Sequence, residues 1–402
     1  MKNLVDDAEM NAQLSRTLIA VAAEAADLGE AMATAERTRA GDYDSWFDEW
    51  SATAEVARRL ADEALAKGRA VTARKAYLRA AEYWRQSFFF LRRDVTDERV
   101  QFAWRNHRAA FRAALPLLEW TSIVAEIPFE GATMTGYLFK AADDGVPRPT
   151  VLAPCGFDST AESGYAATGY MALPRGYNFF VFEGPGQGGM LVEQGTALRP
   201  DFEVPFGVAF DWLLEQTGVH PQAVAVLGRS FGGYLGPRAA AFEQRVAALI
   251  ADPGQYDFAS RLGGLAASVP GDPDRFLDRV RDADPEVDAA LEGLVTDARS
   301  REWFGSRMAA MGATTVGDFL RRQLQFSLEG VAGEIRCPTL LTEGEGDFAA
   351  QGEVLYEQLT CPKRLTTFSA AEGAGGHCEG FGATLFEGYV FDWLDGVMGR
   401  PG

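Results

Sequence analysis

The chain has 402 residues, of which 47% are apolar, and its formal net charge at pH 7 is −19. This length and apolar content allow one large core and a second, smaller domain. The negative charge, without a stripe of Lys and Arg, excludes nucleic acid and an acidic membrane surface as expected partners. No apolar segment approaches the roughly 18 residues of a membrane span, and the first residues carry no targeting pattern, so we expect a cytoplasmic location. Four cysteines without metal-type spacing and three histidines predict reduced, mostly packed thiols and no metal site.

Residues 1–120 form the first predicted domain, which is rich in Ala, Glu and Arg and carries aromatic residues at helical spacing. Apolar positions step by three or four residues over 46–64 and again over 73–88, which predicts two helices. Gly68 lies between them at a helix C-cap position, so an antiparallel hairpin is expected. Two interpretations of the aromatic stripe stay open. It packs on the larger domain, or part of it, including the three phenylalanines 88–90, overhangs a substrate pocket.

Residues 121–402 form the second predicted domain, an α/β unit in which short apolar runs alternate with segments of helical length. The runs predict a hairpin and six further strands: EIPFEGATMTGYLFKA, PTVLAPCG, NFFVFEGPG, AVAVLG, AALIADPG, CPTLLTEGEGD and RLTTFSAAEGAGGH. The alternation predicts a mostly parallel sheet covered by helices on both faces. The interval from about 256 to 333 is too long for one crossover connection. It predicts a helical cap inserted above the carboxyl ends of the strands, where ligands bind in such sheets.

The run Gly228-Arg229-Ser230-Phe231-Gly232 has the pattern G-x-S-x-G, follows a predicted strand and begins a predicted helix. A Gly-Ser turn without a function can carry the same letters, but the strand before it and the helix after it favour a nucleophile elbow. In an elbow the serine takes a strained backbone conformation, and side chains two positions away would collide with the turn. Ser230 is therefore the predicted nucleophile, with Gly228 and Gly232 as elbow glycines.

A serine hydroxyl needs a base that takes its proton, and the chain offers three histidines. His107 lies in the helical N-terminal part, and His220 lies before the nucleophile strand, at its wrong end. His377 lies in the late loop GAGGHCEGFG, whose glycines let the chain fold back over the sheet. His377 is therefore the predicted base.

The carboxylate that orients the base is expected between Ser230 and His377 along the chain. The segment LLTEGEGDFAAQG ends a predicted strand with several acidic residues, and strand alternation favours Asp347 among them. Glu345 is the second choice, and Asp252, at the end of the preceding strand, is the third. A solvated turn carboxylate is the alternative interpretation of each.

The oxyanion that forms on a carbonyl needs two backbone donors. We expect the amide of Phe231, which follows the nucleophile, and the amide of Phe157 in the loop C-G-F-D-S-T. In the same loop, S-T-A-E predicts a capping box with Ser159 as the N-cap and Glu162 reaching back to it. The turn VFEGPGQGG has the glycines of a dinucleotide fingerprint, but no clean helix or second strand with an acidic end follows it. No cofactor is expected.

These residues together resemble one branch of the α/β-hydrolase superfamily, which contains the 2,6-dihydroxypseudooxynicotine hydrolases, the fermentation-respiration switch proteins and the fungal heptaketide hydrolases. The resemblance covers most of the chain, and it depends on LRAAEYWRQSFFF, GFDSTAES, FEGPGQG, GRSFGGY, ADPGQYD and EGAGGHCEGFGATLFEGYVFDWLD. Relatives tend to carry Gly-Gly where this chain has Cys155-Gly156. The resemblance implies a cofactor-independent serine hydrolase, often a homodimer, with the helical domain folded over the active site.

Some members of that branch cleave a carbon–carbon bond next to a ketone. For this chain the resemblance therefore implies a small-molecule substrate of the 1,3-diketone or acyl-phenol type, either a polyketide or an aromatic compound. An esterase, thioesterase or acyltransferase that uses the same three residues is the alternative. A binding or regulatory protein that kept the fold without turnover is the alternative from another class.

Overall fold

A computed structural model describes residues 4–399 of the chain. Its centre is one sheet of eight strands. The strands are β1 (Thr121–Phe129), β2 (Ala132–Lys140), β3 (Arg148–Pro154), β4 (Asn178–Phe182), β5 (Val219–Arg229), β6 (Ala248–Asp252), β7 (Thr339–Gly344) and β8 (Lys363–Phe368).

The strand order across the sheet is β1-β2-β4-β3-β5-β6-β7-β8. β1 and β2 form the predicted antiparallel hairpin, and β2 also runs antiparallel to β4. All the pairs from β4 to β8 are parallel. The structure therefore confirms a mostly parallel sheet, and it brings the carboxyl ends of β3, β5, β6 and β7 to one edge.

The described residues before the sheet are mainly helical. The helices are α1 (Ala8–Ile19), α2 (Leu28–Arg37), α3 (Tyr43–Ala66), α4 (Ala70–Ser87) and α5 (Glu98–Ala114). α3 and α4 form the hairpin predicted from the two stripes, and Gly68 between them has a φ of +68°, which a glycine adopts without strain. The division of the chain at residue 120 stays a prediction, although β1 begins at Thr121.

Helices cover both faces of the sheet. Those between or after the strands are α6 (Ala161–Gly164), α7 (Tyr170–Ala172), α8 (Gly188–Val192), α9 (Glu203–Leu214), α10 (Gly232–Phe242), α16 (Gly352–Gln358) and α17 (Ala383–Val397). Five more lie between β6 and β7, in the interval predicted as a cap: α11 (Ala259–Leu262), α12 (Phe276–Arg281), α13 (Pro285–Glu292), α14 (Ala298–Met311) and α15 (Val316–Gln323). Among residues 4–399, none of the helices combines the length and the apolar character that crossing a membrane requires.

The sheet separates two apolar cores, and the alternation of side chains along each strand supplies both of them. In β4, Phe179 and Val181 belong to the core shared with α1–α5 and α17, whereas Phe180 and Phe182 belong to the core shared with α9, α10 and the cap helices. The N-terminal helices and the cap therefore approach the site edge of the sheet from opposite faces.

The three phenylalanines at the end of the aromatic stripe divide between the two interpretations of that stripe. Phe88 packs edge-on against Trp104, and Phe90 stacks on Tyr43, so both stay inside the helical region. Phe89 lies beneath the guanidinium of Arg92 at 4.0 Å. Arg92 also binds Asp158 in the predicted oxyanion loop, so the middle ring of the three is the one next to that loop's carboxylate.

Candidate active site

The serine of the elbow lies at the end of β5, directly before α10, and its φ is +57°. A Cβ on Gly228 would lie 1.9 Å from the carbonyl oxygen of Gly232, so no side chain fits at residue 228. At Gly232 the nearest backbone oxygen is 3.3 Å away, whereas a Cβ on Gly233 would lie 2.0 Å from the oxygen of Pro253. The steric requirement for glycine is therefore strict at 228 and 233 and weaker at 232 than the sequence pattern suggested.

Ser230, His377 and Asp347 form a continuous chain of hydrogen bonds. The Oγ of Ser230 is 2.8 Å from Nε2 of His377, and Nδ1 of His377 is 2.9 Å from Oδ1 and 3.1 Å from Oδ2 of Asp347. The backbone amides of Ala349 and Cys378 also donate to this carboxylate. Burial by itself raises the pKa of Asp347, but the hydrogen bond and charge of His377 and the two amides lower it overall. The charged carboxylate of Asp347 therefore accepts a hydrogen bond from Nδ1 of His377, and Nε2 can accept one from the hydroxyl of Ser230.

The other candidate residues lie elsewhere or have other partners. Glu345 accepts a hydrogen bond from a backbone amide that follows β8, and Asp252 binds Arg229 at 2.7 Å. His220 lies at the beginning of β5, the end remote from the serine, and His107 is buried in α5. The structure thus brings together the three residues of first choice. Their catalytic roles stay a prediction.

The two expected oxyanion donors lie on either side of the serine. A Cβ on Gly156 would lie 3.4 Å from Cβ of Ser230, so the loop after β3 is in contact with the elbow. The next residue, Phe157, packs its ring edge-on against Phe231 with 5.8 Å between the centroids. Within residues 4–399 the amides of Phe157 and Phe231 have no protein acceptor. Both are therefore available to a ligand beside Ser230.

The capping box predicted in this loop is wrong by one residue. The N-cap of α6 is Thr160 rather than Ser159, and its partner in the box is Ser163. Glu162 does not reach back to the cap. It is buried and accepts hydrogen bonds from Arg108 and Tyr137. Because the helix begins one residue later than predicted, the side chain of Glu162 faces the N-terminal helices instead of the N-cap.

A buried group of charges, which we call the Arg108 cluster, joins α5 to the region around this loop. The guanidinium of Arg108 binds Glu162 at 3.0 Å, Glu183 at 2.8 Å and the more exposed Glu193 at 2.9 Å. Glu183 follows β4, and it also accepts the amide of Ala161. Burial and the nearby charge of Glu162 raise the pKa of Glu183 to about 7 although Arg108 opposes them, whereas His107 and Arg108 lower the pKa of Glu162 against its burial.

His107 extends this connection to the N-cap of α6. Its Nδ1 lies 2.7 Å from the carbonyl oxygen of Ala81 in α4, and its Nε2 lies 2.9 Å from Oγ1 of Thr160. Because a carbonyl only accepts, Nδ1 carries a proton. Contacts from α4 and α5 therefore fix the position of Thr160, the N-cap of α6. Thr160 lies three residues after Phe157. No spacing in the sequence indicates this link.

A second buried group, the Arg229 cluster, consists of Arg229, Asp252 and Glu379. Arg229 precedes the serine, binds Asp252 at 2.7 Å and Glu379 at 3.3 Å, and donates to the carbonyl oxygen of Cys378 at 2.8 Å. Asp252 in turn accepts the amide of Ser230 through its backbone oxygen at 2.6 Å. Burial and Asp252 raise the pKa of Glu379 to about 10 against the effect of Arg229. This raised pKa favours a protonated Glu379 at pH 7, which can donate to the carboxylate of Asp252. The Arg229 cluster connects the elbow to the loop of His377.

Aromatic side chains surround the site. The ring of Phe348 is 77% exposed, and its centroid lies 4.7 Å from that of the His377 imidazole. Next to the serine, Phe231 packs against Phe258 and Phe326, which flank the cap helices. The open ring beside the histidine and the aromatic wall below the elbow create an apolar environment for a flat group.

No protein-family model matches the chain. It is 33% identical to 20-hydroxy-prefusarin hydrolase FUS2 of Gibberella moniliformis over 96% of both chains. It is 31% identical to alpha/beta hydrolase psoB of Aspergillus fumigatus over 94% of this chain and 91% of that one. Among solved structures, 2,6-dihydroxy-pseudo-oxynicotine hydrolase covers 96% of both chains with a TM-score of 0.74 and 22% identity. The structural match confirms the predicted fold along nearly the whole length.

Proposed function

This chain belongs to the α/β-hydrolase family and is a hydrolase, and on that premise we propose that it is a serine hydrolase that acts through an acyl-enzyme on Ser230. The observation that carries this proposal is the hydrogen-bond chain from Oγ of Ser230 through His377 to Asp347, with distances of 2.8 Å and 2.9 Å. A serine at the end of a strand, a neutral imidazole and a charged carboxylate are the parts that nucleophilic acyl transfer needs.

In the first half of the reaction, Oγ of Ser230 attacks the substrate carbonyl while its proton passes to Nε2 of His377. The imidazolium that forms is stabilised by Asp347, which stays charged. The negative charge that develops on the carbonyl oxygen is held by the amides of Phe157 and Phe231. Because both amides lack a protein acceptor within the described residues, they are free to donate to the oxyanion.

In the second half, the tetrahedral adduct collapses and the bond to the leaving group breaks. We propose that this is a carbon–carbon bond next to a ketone, so that the leaving group departs as an enolate or aryl carbanion and takes the proton from Nε2 of His377. A water molecule, deprotonated by the same nitrogen, then attacks the acyl-enzyme, and Ser230 recovers its proton. The substrate class is therefore a 1,3-diketone or an acyl phenol, because only a delocalised carbanion can leave.

Two observations support a substrate of this kind. A relative with 33% identity over 96% of both chains is named as a hydrolase of 20-hydroxy-prefusarin. The exposed ring of Phe348 beside His377 and the rings around Phe231 offer flat apolar contacts. Esters and thioesters pass through the same first half and differ only in the leaving atom, so they are the competing substrate class.

Labelling with a fluorophosphonate tests the nucleophile. We expect one adduct, located on Ser230, and its loss in Ser230→Ala and His377→Ala. Turnover of the Ser230→Ala variant should fall by about 10⁴-fold or more. His220→Ala is the matched control and should keep both labelling and turnover, since its imidazole lies at the opposite end of β5. A wild-type chain without an adduct contradicts the proposal.

Substrate profiling tests the bond that is cleaved. Acyl phenols and 1,3-diketones should be split into a carboxylic acid and the protonated carbon fragment, with rates above those of simple esters of the same acids. If esters are hydrolysed while both carbon–carbon substrates stay intact, the enzyme is an esterase that uses the same three residues.

A further inference from the structure

Two arginines pair with one carboxylate beside the predicted oxyanion loop, and the charge of a third arginine, from another segment, acts on the same carboxylate. Arg92, between α4 and α5, binds Oδ1 of Asp158 at 2.7 Å, and Arg16 in α1 lies 3.6 Å from Oδ2. The charge of Arg307 in α14 acts on the same carboxylate, and the three guanidinium groups lower the pKa of Asp158 although burial opposes this. We call Arg16, Arg92 and Arg307 the arginine cluster.

The arginine cluster lies next to the proposed nucleophile. Asp158 directly follows Phe157 and is two residues after Gly156, whose position touches Ser230. Two residues of chain span at most about 7 Å. The side chains of Asp158 and the three arginines are each partly exposed, so a ligand can reach the cluster.

The cluster carries more positive charge than its surroundings neutralise. Asp158 pairs with Arg92 and Arg16 and acts on Arg307 only through its charge, while Glu9, whose charge also acts on Arg307, is paired with Arg299. Burial raises the pKa of Glu302 to about 7, so this carboxyl is only partly ionised at neutral pH. In a chain with a net charge of −19, an excess of positive charge beside the proposed active site favours an anionic ligand.

Arg307 is the member with the fewest partners. Within residues 4–399 no carboxylate lies within 4.0 Å of its guanidinium, which donates to the carbonyl oxygen of Trp303 at 2.8 Å and stacks on that ring at 4.0 Å. Burial and the charges of Arg92 and Arg16 lower its pKa to about 10 although Asp158 opposes this. Its remaining donors are therefore free to bind a ligand.

The other two arginines are held in place before any ligand binds. The guanidinium of Arg92 lies 4.0 Å from the centre of the Phe89 ring and donates to the carbonyl oxygen of Phe89 at 2.9 Å. Arg16 lies over the same ring at 5.7 Å. A planar guanidinium fixed in this way binds a carboxylate with a small loss of side-chain freedom.

We propose that the arginine cluster binds a carboxylate group of the substrate, at the end of the molecule away from the carbonyl that Ser230 attacks. This inference rests on the proposed function, because it places the carboxylate relative to that serine. It narrows the substrate class to acids: an acyl phenol or diketone that carries a free carboxylate. N-terminal helix α1 and cap helix α14 then both contribute to substrate specificity.

The test compares pairs of boronic acids that differ only in charge. Each pair consists of a carboxyalkyl boronic acid and its methyl ester, in a series of increasing chain length, and the dissociation constant is measured by calorimetry. The boron atom forms a bond to Ser230, and the chain extends toward the arginine cluster. In the wild type, the best acid should bind about tenfold more tightly than its methyl ester, as a charged hydrogen bond predicts.

Variants assign this preference to the cluster. Arg16→Gln and Arg307→Gln should each reduce it to about twofold or less, and Arg307→Lys should restore part of it. Arg301→Gln is the matched control on the same helix, exposed and without a carboxylate partner within 4.0 Å among residues 4–399, and it should keep the preference. Equal affinity of acid and ester at every chain length, or a preference that survives in both Gln variants, overturns the inference.

Ser230→Ala separates the two proposals. This variant removes the bond to boron and should weaken the acid and its ester by the same factor, so the charge preference persists. If Ser230→Ala binds as the wild type does while the preference stands, the serine mechanism fails and the carboxylate site remains. If Ser230→Ala weakens both ligands but the wild type shows no preference, the serine mechanism stands and the carboxylate site fails.

Discussion

The Arg108 cluster and the Arg229 cluster each contain one arginine that binds several carboxyl groups near the proposed site. The two clusters differ in which parts of the chain they connect. Arg108 belongs to an N-terminal helix and binds residues of the sheet region, whereas Arg229 belongs to the elbow and binds residues of the same region. In the first cluster a buried glutamate, Glu162, is charged. In the second, Glu379 is neutral at pH 7 because its pKa is about 10.

This difference indicates which contacts hold the loop of His377 and which hold the proposed oxyanion loop. The loop of His377 is fixed from within the sheet region, because Arg229 connects the elbow to the backbone of Cys378. The proposed oxyanion loop is held by contacts from outside the sheet region. Arg108 and His107, both in an N-terminal helix, bind Glu162 in α6 and its N-cap, Thr160. The N-terminal helices therefore contribute structurally to the proposed active site.

The largest effect is expected from Arg229→Met. It leaves the carboxylate of Asp252 buried without its partner and releases the loop of His377, so the free energy of unfolding should fall by about 3 to 5 kcal/mol. A small displacement of His377 from Ser230 should lower kcat by about 100-fold. Urea unfolding and steady-state kinetics measure both. Arg245→Met removes an exposed pair instead and should cost less than about 1 kcal/mol.

Arg108→Met should rank second. Two buried carboxylates, Glu162 and Glu183, lose their counterion, so the free energy of unfolding should fall by about 3 kcal/mol. We expect kcat to fall only about tenfold. Arg108 does not contact the two amides proposed to bind the oxyanion, and its loss changes their position only through a shift of α6. An unchanged kcat in a folded variant would show that the proposed oxyanion loop keeps its geometry without Arg108. That result would contradict the role assigned to the Arg108 cluster.

Glu162→Gln probes the charged carboxylate of the first cluster. The amide cannot accept the charged hydrogen bonds of Arg108 in the same way, and the free energy of unfolding should fall by about 3 kcal/mol. Glu193→Gln is the matched control. Its side chain is 41% exposed in the same cluster, so the loss should stay below about 1 kcal/mol. Equal losses in the two variants contradict a specific role of the buried carboxylate.

Glu379→Gln probes the neutral carboxyl of the second cluster and should be stabilising. Above the ordinary Glu pKa of 4.5 the unfolded chain loses this proton, while the folded chain keeps it up to about pH 10, so the wild type loses stability across that interval. Gln has no proton to lose and can donate to Asp252. Urea unfolding should show a gain of about 2 kcal/mol at pH 7 that vanishes near pH 4.5. A loss at pH 7 would mean that Glu379 is charged in the folded state.

The sequence predicted those parts of the site whose chemistry is local. Ser230 was identified because an elbow needs glycines within two residues of it, and His377 because the other two histidines lie on the wrong elements. Asp347 followed from strand alternation. The sheet was predictable for the same reason, since each strand is a short apolar run bounded by Gly, Pro or Asp.

The missed residues act over long distances along the chain. Nothing near Arg108 in the sequence indicates that its partners are Glu162 and Glu183, and His107 was considered only as a base. The cap at Thr160 was misplaced because Ser159 and Thr160 can both cap a helix, and only the burial of Glu162 decides between them. Arg229 inside G-x-S-x-G offered a signal, because a charge buried at an elbow needs an acidic partner.

Cys378, the neighbour of His377, is expected to react slowly with oxidants. Burial raises the pKa of its thiol well above the ordinary value, and Asp252 adds to this although Arg229 opposes it. Alkylating agents and peroxides react with thiolates, so a thiol kept protonated beside the imidazole is a poor target for them. The hydrolase should therefore keep its activity without added reductant, and iodoacetamide should spare it at concentrations that inactivate cysteine-dependent hydrolases.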